Sequence, residues 1–317
     1  MLLKPLHKLL HKLLQTAGKV VGRNTLSILI YHQVLATADP MRPSEPTAEV
    51  FDWHMRLLRD YFTPLSLDEA LAHLQKNTLP ANAVCVTFDD GYLNNLTVAQ
   101  PILAKYNIPA TVYIATAFSN GNNMWNDRVM HLFADKQRQQ LSLQGAQITL
   151  GDWQQRRALA HEWLMKLKYL PISPRLAEVD KLYQENNASE QVPLMMSPVQ
   201  IKQLAAAGIS IGAHTVNHPI LKVLPAAEQQ TEIVQSKQQL EQWCGQPVNH
   251  FAYPNGAFGR DFDETALNIV EQAGFSSAVT TNGGVSTSNS SPFKLRRFTP
   301  WDKSVLKFHA RLLNTMR

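Results

Sequence analysis

Two acids stand side by side in the stretch VCVTFDDGY, residues 84–92. Asp89 and Asp90 follow an apolar, β-forming run and precede Gly91, which permits a sharp turn. Neighbouring carboxylates repel each other, and burying either one unpaired is costly. A plain reading is a turn in which one Asp caps the next helix. A second pattern argues for chemistry. In GAHTVNHP, residues 212–219, His214 and His218 follow directly on the strand-like ISIG. Neutral imidazoles are the commonest protein ligands for zinc and related metals. Two histidines and one carboxylate leave positions open for water and substrate, as a catalytic metal site requires. One acid of the pair then joins the histidines on the metal. The other stays off it and deprotonates the bound water. A divalent cation beside the two acids offsets their repulsion.

In this order and at strand ends, TFDDGY and HTVNH resemble the first two motifs of NodB-like polysaccharide deacetylases, and the likeness runs from about residue 26 to 300. The resemblance implies a distorted (β/α) barrel, a divalent metal with zinc foremost, and hydrolysis of N-acetyl groups on amino sugars. It assigns Asp89 as general base and Asp90, His214 and His218 as metal ligands. The family's third motif, Arg-x-Pro followed by Gly, falls on FAYPNGAFG, residues 251–259. Pro254 and Gly256 are retained, and by resemblance the backbone N–H of Asn255 serves the oxyanion. Pro254 also removes a competing donor and stiffens the turn. Ala252 stands where the family Arg is common, so the base needs another orienting group. Arg296 and Arg297 in KLRRF are the candidates, with Arg297 favoured; the alternative is an exposed basic pair at a strand end. The late Leu-x-His motif that brings the general acid is not evident. His309 lies in VLKFHARLLNTM, whose spacing is that of an amphipathic helix. His32, ending the apolar ILIY, is better placed, and some exopolysaccharide deacetylases carry a similar YH there. It is a candidate proton donor or substrate contact; the alternative is a histidine bonded to a loop carbonyl. Trp125 in NNMWND is a candidate stacking wall for a sugar ring, against a role in the core.

These side chains need elements to carry them. TLSILIYHQV, VCVTF, PATVYIAT, ISIGAHT, NHFAYPNG, FSSAVTT and SPFKLRRF read as strands. Helical patterns lie between them. SLDEALAHLQKN opens on Ser66 with Glu69 three residues on, a capping box. Asn94 and Asn95 are expected to cap the helix after the acid pair, and Pro225 and Gly245 to bound a long later helix. Alternating strands and helices predict a parallel α/β sheet or barrel. From about 120 to 196 the rhythm breaks into consecutive helical patterns, read as a helical insertion.

Residues 1–22 place leucines at helical spacing opposite Lys4, His7, Lys8, His11 and Lys12. That is a basic amphipathic helix, suited to an anionic membrane surface or to packing on the body of the protein or on a partner, with His7 and His11 expected to be solvated or at a membrane surface. It lacks the apolar run and cleavage site of a signal peptide or membrane span. The expected location is therefore cytoplasmic, peripheral on the inner face of the membrane. The remaining residues, 23–317, form the deacetylase domain with its insertion. Charged residues make up 17% and hydrophobic ones 44%, a globular balance. The net charge of +5 comes without a Lys/Arg block, so nucleic acid is not an expected partner. Cys85 and Cys244 make no disulfide framework. The expected function is metal-dependent removal of N-acetyl groups from amino sugars of a polysaccharide or lipid-linked glycan. The alternatives are deformylation of a lipid-carrier sugar, and an inactive, metal-containing carbohydrate-binding protein.

Overall fold

The computed structural model describes residues 3–315. Met1 and Leu2, and the side chains of Leu3, Lys4, Leu6, His7 and Lys8 named above, lie outside the described residues. In chain order the elements begin with α1 (Leu3–Val21), β1 (Leu26–Tyr31), α2 (Ala48–Tyr61), β2 (Thr63–Pro64), α3 (Leu67–Gln75) and β3 (Ala83–Phe88). A π-helical turn, Asn95–Ala99, then runs into α4 (Gln100–Tyr106), and β4 (Ala110–Ile114) follows. The insertion holds α5 (Trp125–Ala134), β5 (Gln140–Leu143), β6 (Ala146–Thr149), α6 (Trp153–Leu167) and α7 (Ile172–Glu185). The body resumes with α8 (Pro198–Ala206), β7 (Ser210–Ala213), α9 (Ala226–Cys244), β8 (His250–Ala252), α10 (Glu264–Gln272), β9 (Ser277–Val279) and α11 (Val305–Asn314).

The main sheet runs β1-β3-β4-β7-β8-β9, every pairing parallel, with β2 beside the start of β3. Every residue of β1, β3 and β4 is buried. That is why these strands read as solid apolar runs rather than alternating ones. SPFKLRRF, expected as a last strand, instead makes a 3₁₀ turn at Pro292–Lys294. Beyond that turn, single parallel bridges join Leu295 to Val279 and Phe298 to Leu29. Residues 295–298 thus link β9 to β1, curling the sheet into a distorted (β/α) barrel closed by irregular chain.

Side chains finish the helices as their chemistry dictates. Ser66 and Glu69 form the expected capping box, and Ser197 with Gln200 forms another. Gly245 ends α9 at φ +69°, a left-handed cap. Asn94 and Asn95 do not cap. Asn94 accepts from Val34 N and bonds Gln33, while Asn95 Nδ2 donates to the His32 carbonyl. The insertion has its own core of Trp125, Phe133, Leu141, Trp163, Val179 and their neighbours. It is not wholly helical: residues 140–149 form a hairpin turning on Gln144 (φ +53°) and Gly145 (φ +81°). The clue is the alternation in LSL, which buries Leu141 and Leu143 on one face.

The N-terminal helix packs on the body. His11 is buried rather than solvated; its Nδ1 lies 2.8 Å from that of His309, with the rings stacked. Asn82 Nδ2 donates to the Gln15 carbonyl in the same contact. Leu9, Leu13 and Val20 on the outer face are 56–77% exposed. Among the described residues no helix is long and apolar enough to cross a membrane.

Candidate active site

The carboxyl ends of β1, β3, β7 and β8 converge on a cavity of about 510 Å³. Successive side chains of a strand face opposite ways, so an extended chain would send Asp89 and Asp90 apart. Asp90 breaks the alternation with φ +75°, followed by Gly91 at φ +91°, and both carboxylates line the same cavity. Gly91 is required twice over, since a Cβ there would also lie 2.8 Å from Ile114 Cδ1.

The histidine motif is a loop, not a helix face. Thr215 (φ +65°) and His218 (φ +52°) are left-handed, and the Thr215 hydroxyl accepts from His218 N. Buried Glu232 of α9 accepts from the backbone N–H groups of Val216 and Asn217 and from the Asn217 side chain. The carbonyl of Ala252 lies 2.6 Å from His214 Nδ1. A carbonyl only accepts, so Nδ1 carries the proton and Nε2 presents its lone pair. That nitrogen is 3.5 Å from Asp90 Oδ1, and His218 Nε2 is 3.4 Å from the same oxygen.

Asp90 Oδ1 is buried and has no hydrogen-bond partner among the described residues. Burial pushes Asp90 up to about 7, lowers His214 to about 4 and holds His218 well below its ordinary value. One donor atom from each of the three lies within 4.8 Å of the others. An orphaned carboxylate oxygen facing two neutral imidazoles suits a divalent cation, which would supply the missing charge. The residues fit the metal that the sequence calls for.

Asp89 takes the opposite condition. Arg297 grips both its oxygens, Nη1 to Oδ1 and Nη2 to Oδ2, each at 2.7 Å. The guanidinium also donates to the Thr280 carbonyl and the Thr87 hydroxyl, and Arg297 is 2% exposed. Burial opposes ionisation, yet the Arg297 charge outweighs it and holds Asp89 far below the usual carboxylate range. Arg296, by contrast, is exposed and bonds the Gly283 carbonyl.

His32 lines the same cavity. Burial favours its neutral form, but Asp90, Asp89 and Glu45 outweigh that and raise its pKa. The loop carbonyl foreseen as a ring partner is absent among the described residues; the bond in question is the His32 carbonyl accepting from Asn95. Pro254, Asn255 (φ +59°) and Gly256 (φ +66°) form the turn after β8, and Asn255 reaches the cavity. The Asn255 N–H has no acceptor among the described residues.

One expectation is corrected. Trp125 is 7% exposed, packed in the insertion core with the Arg175 guanidinium 4.9 Å over its ring, so it is no open stacking wall. His309, read as part of an amphipathic helix, lies in α11, fully buried against His11, Tyr61 and Phe62 and outside the catalytic cavity. Three residues on the cavity wall were not foreseen. Buried Asp127 of the insertion bonds Arg42 (2.8 Å) and the Tyr92 hydroxyl (2.9 Å), closing the insertion onto the body. They are far apart in sequence, and only folding relates them.

Fold and site together define a carbohydrate N-deacetylase built on a curled (β/α) barrel. The polysaccharide deacetylase family model matches residues 76–278, and the chain belongs to that family. YxkH of Bacillus subtilis (strain 168), named for the same family, is 24% identical over 86% of this chain and 70% of its own. The deacetylase PplD of Streptococcus pyogenes, solved in complex with acetate, superposes with TM-score 0.61 at 23% identity, covering 92% of this chain and 98% of its own. IcaB from Ammonifex degensii gives TM-score 0.61 at 19% identity, over 93% and 98%. At these identities the structural likeness establishes the fold.

Proposed function

We propose that the protein hydrolyses N-acetyl groups from amino sugars of a glycan, with a divalent cation, zinc foremost, held by Asp90, His214 and His218. The observation that carries this reading is the contrast between two adjacent acids: Asp89 ion-paired to Arg297, and Asp90 orphaned before two imidazoles. Such a cation supplies Lewis acidity, lowering the pKa of water enough for a weakly basic carboxylate to take its proton.

Asp89 is the general base, and the Arg297 fork fixes where its oxygens point. The free Asn255 N–H, presented by the rigid turn after Pro254, donates to the oxygen that becomes negative as water adds to the acetamide carbon. His32, whose proton affinity the surrounding acids raise, is placed to give a proton to the departing nitrogen. The C–N bond breaks, leaving a free amine and acetate. An inactive binding protein would have no use for a buried acid held off the cluster.

The test is hydrolysis of N-acetylglucosamine oligomers and of N-acetylated glycans that carry uronate or phosphate, read as acetate released, by the wild type and by Asp89→Asn with metal content measured in both. Zinc-dependent release in the wild type, lost in a variant that still holds metal, supports the reading. Equal release from both, or none from either, rejects it.

We further assign the protein to the inner face of the cytoplasmic membrane, through the outer face of α1. Leu9, Leu13 and Val20 are exposed there with Lys12 and Lys19 along one side, as an anionic bilayer would favour. Co-sedimentation with phosphatidylglycerol vesicles, lost in Leu9→Glu/Leu13→Glu, tests the assignment; equal sedimentation of both proteins rejects it.

A further inference from the structure

The insertion buries two arginines, and their surroundings differ. Arg156, 4% exposed, donates to four carbonyls, those of Gly151, Phe133, Asp135 and Arg138. Among the described residues Arg175, 3% exposed, has a single long hydrogen bond, Nη1 to the Lys168 carbonyl at 3.4 Å, and its buried Nε has no partner. Glu232 is the acid whose field reaches Arg175, but its oxygens are committed to Val216 and Asn217. Trp125 supports the guanidinium with its ring face. A buried cation this poorly compensated is destabilising in the free protein, which suggests a partner supplied from outside.

Arg175 lines a second cavity of about 230 Å³, with Lys168, His161 and Met165 around it. His218 and Asn255 line both this cavity and the catalytic one, so the two abut at the proposed metal and oxyanion positions. Their charges differ. The catalytic cavity is lined by Asp89, Asp90, Asp127 and Glu45 with Arg42, whereas among the described residues no Asp or Glu lines the second.

We propose that this side cavity binds an anionic substituent, a carboxylate or a phosphate, carried by the glycan on or beside the sugar that is deacetylated. The inference rests on the glycan reading above and adds the substrate class: acidic rather than neutral. The guanidinium edge that lines the cavity offers charged N–H donors to either anion, Lys168 adds charge, and the Trp125 ring face holds the guanidinium in place.

The test is binding, read without turnover. Thermal shift and calorimetry are run with glucuronate, inorganic phosphate and acetate on wild type, Arg175→Met and Arg175→Lys. Arg175→Met keeps an apolar chain against Trp125 and removes the charge. The wild type is expected to show a saturable rise in Tm with glucuronate or with phosphate. Arg175→Met should weaken that binding roughly tenfold or more without lowering the ligand-free Tm, and Arg175→Lys should retain part of it. A response to glucuronate alone assigns a uronic acid, and one to phosphate alone a phosphate ester. The proposal is overturned if neither anion binds, if binding is unchanged in Arg175→Met, or if Arg175→Met lowers the ligand-free Tm and leaves binding intact. It is also overturned if acetate binds as tightly as glucuronate, which would make the cavity a product site. Anion binding through Arg175 in a protein that releases no acetate would reject the deacetylase reading and leave the anion site standing.

Discussion

Asp89 is ionised because Arg297 is beside it, and Arg297 is tolerated in the interior because Asp89 is there. Removing either leaves an uncompensated buried charge, a loss of about 3–5 kcal/mol. Arg297→Met should lower stability by that order in urea unfolding. Arg297→Lys keeps the charge and loses the fork, so a smaller destabilisation is expected. In the lysine variant kcat should fall with KM little changed, because Arg297 acts by orienting the base. Asp89→Asn should reduce kcat by about 10²–10⁴ with metal content unchanged, as measured by acetate release and metal analysis.

Helices and loops determine whether the ligands can meet. The loop from His214 to His218 is left-handed at two positions and is anchored by Glu232, a residue on a different helix. Glu232→Gln should lower zinc affinity about 10–100-fold, measured by competition with a chelating dye, because the imidazoles lose their support. Gly91→Ala should destabilise the fold by about 1–3 kcal/mol in denaturant, since alanine strains the φ +91° backbone and presses on Ile114. Much at this scale was readable in advance. Ser66 with Glu69 and Gly245 mark helix ends through local hydrogen bonds and backbone freedom, which sequence carries directly. The 140–149 hairpin was not, because its alternating pattern is short and sits among strong helix formers. The closing segment 295–298 was read as a strand, but its edge partners leave it only single bridges.

At the scale of the whole molecule, two buried histidines make stability depend on pH. Burial lowers His54 to about 3 and His309 to about 4. In the unfolded chain each titrates near 6.5, so below that pH the unfolded state binds protons the folded state refuses. Stability is therefore complete above about pH 6.5 and falls as pH drops toward those depressed values. The slope is about 1.4 kcal/mol per pH unit for each histidine. Urea midpoints from pH 7.5 to 5 should decline, and less steeply in His309→Phe. The second histidine sits against His11, so part of this loss is felt where α1 joins the body.

Sequence alone determined the alternation of strands and helices, the acid pair, the histidine pair and the retained Pro254–Gly256 turn. Those are local facts: periodicity, φ preference and ligand chemistry over a few adjacent residues. Only tertiary structure decided that Arg297 meets Asp89, that His309 is sealed against His11, that Trp125 faces inward, and that Arg175 is left without an ion-pair partner among the described residues. Each of these depends on which distant segments share a space. Burial sets both the charge and the reach of a side chain there, and no spacing along the chain records it.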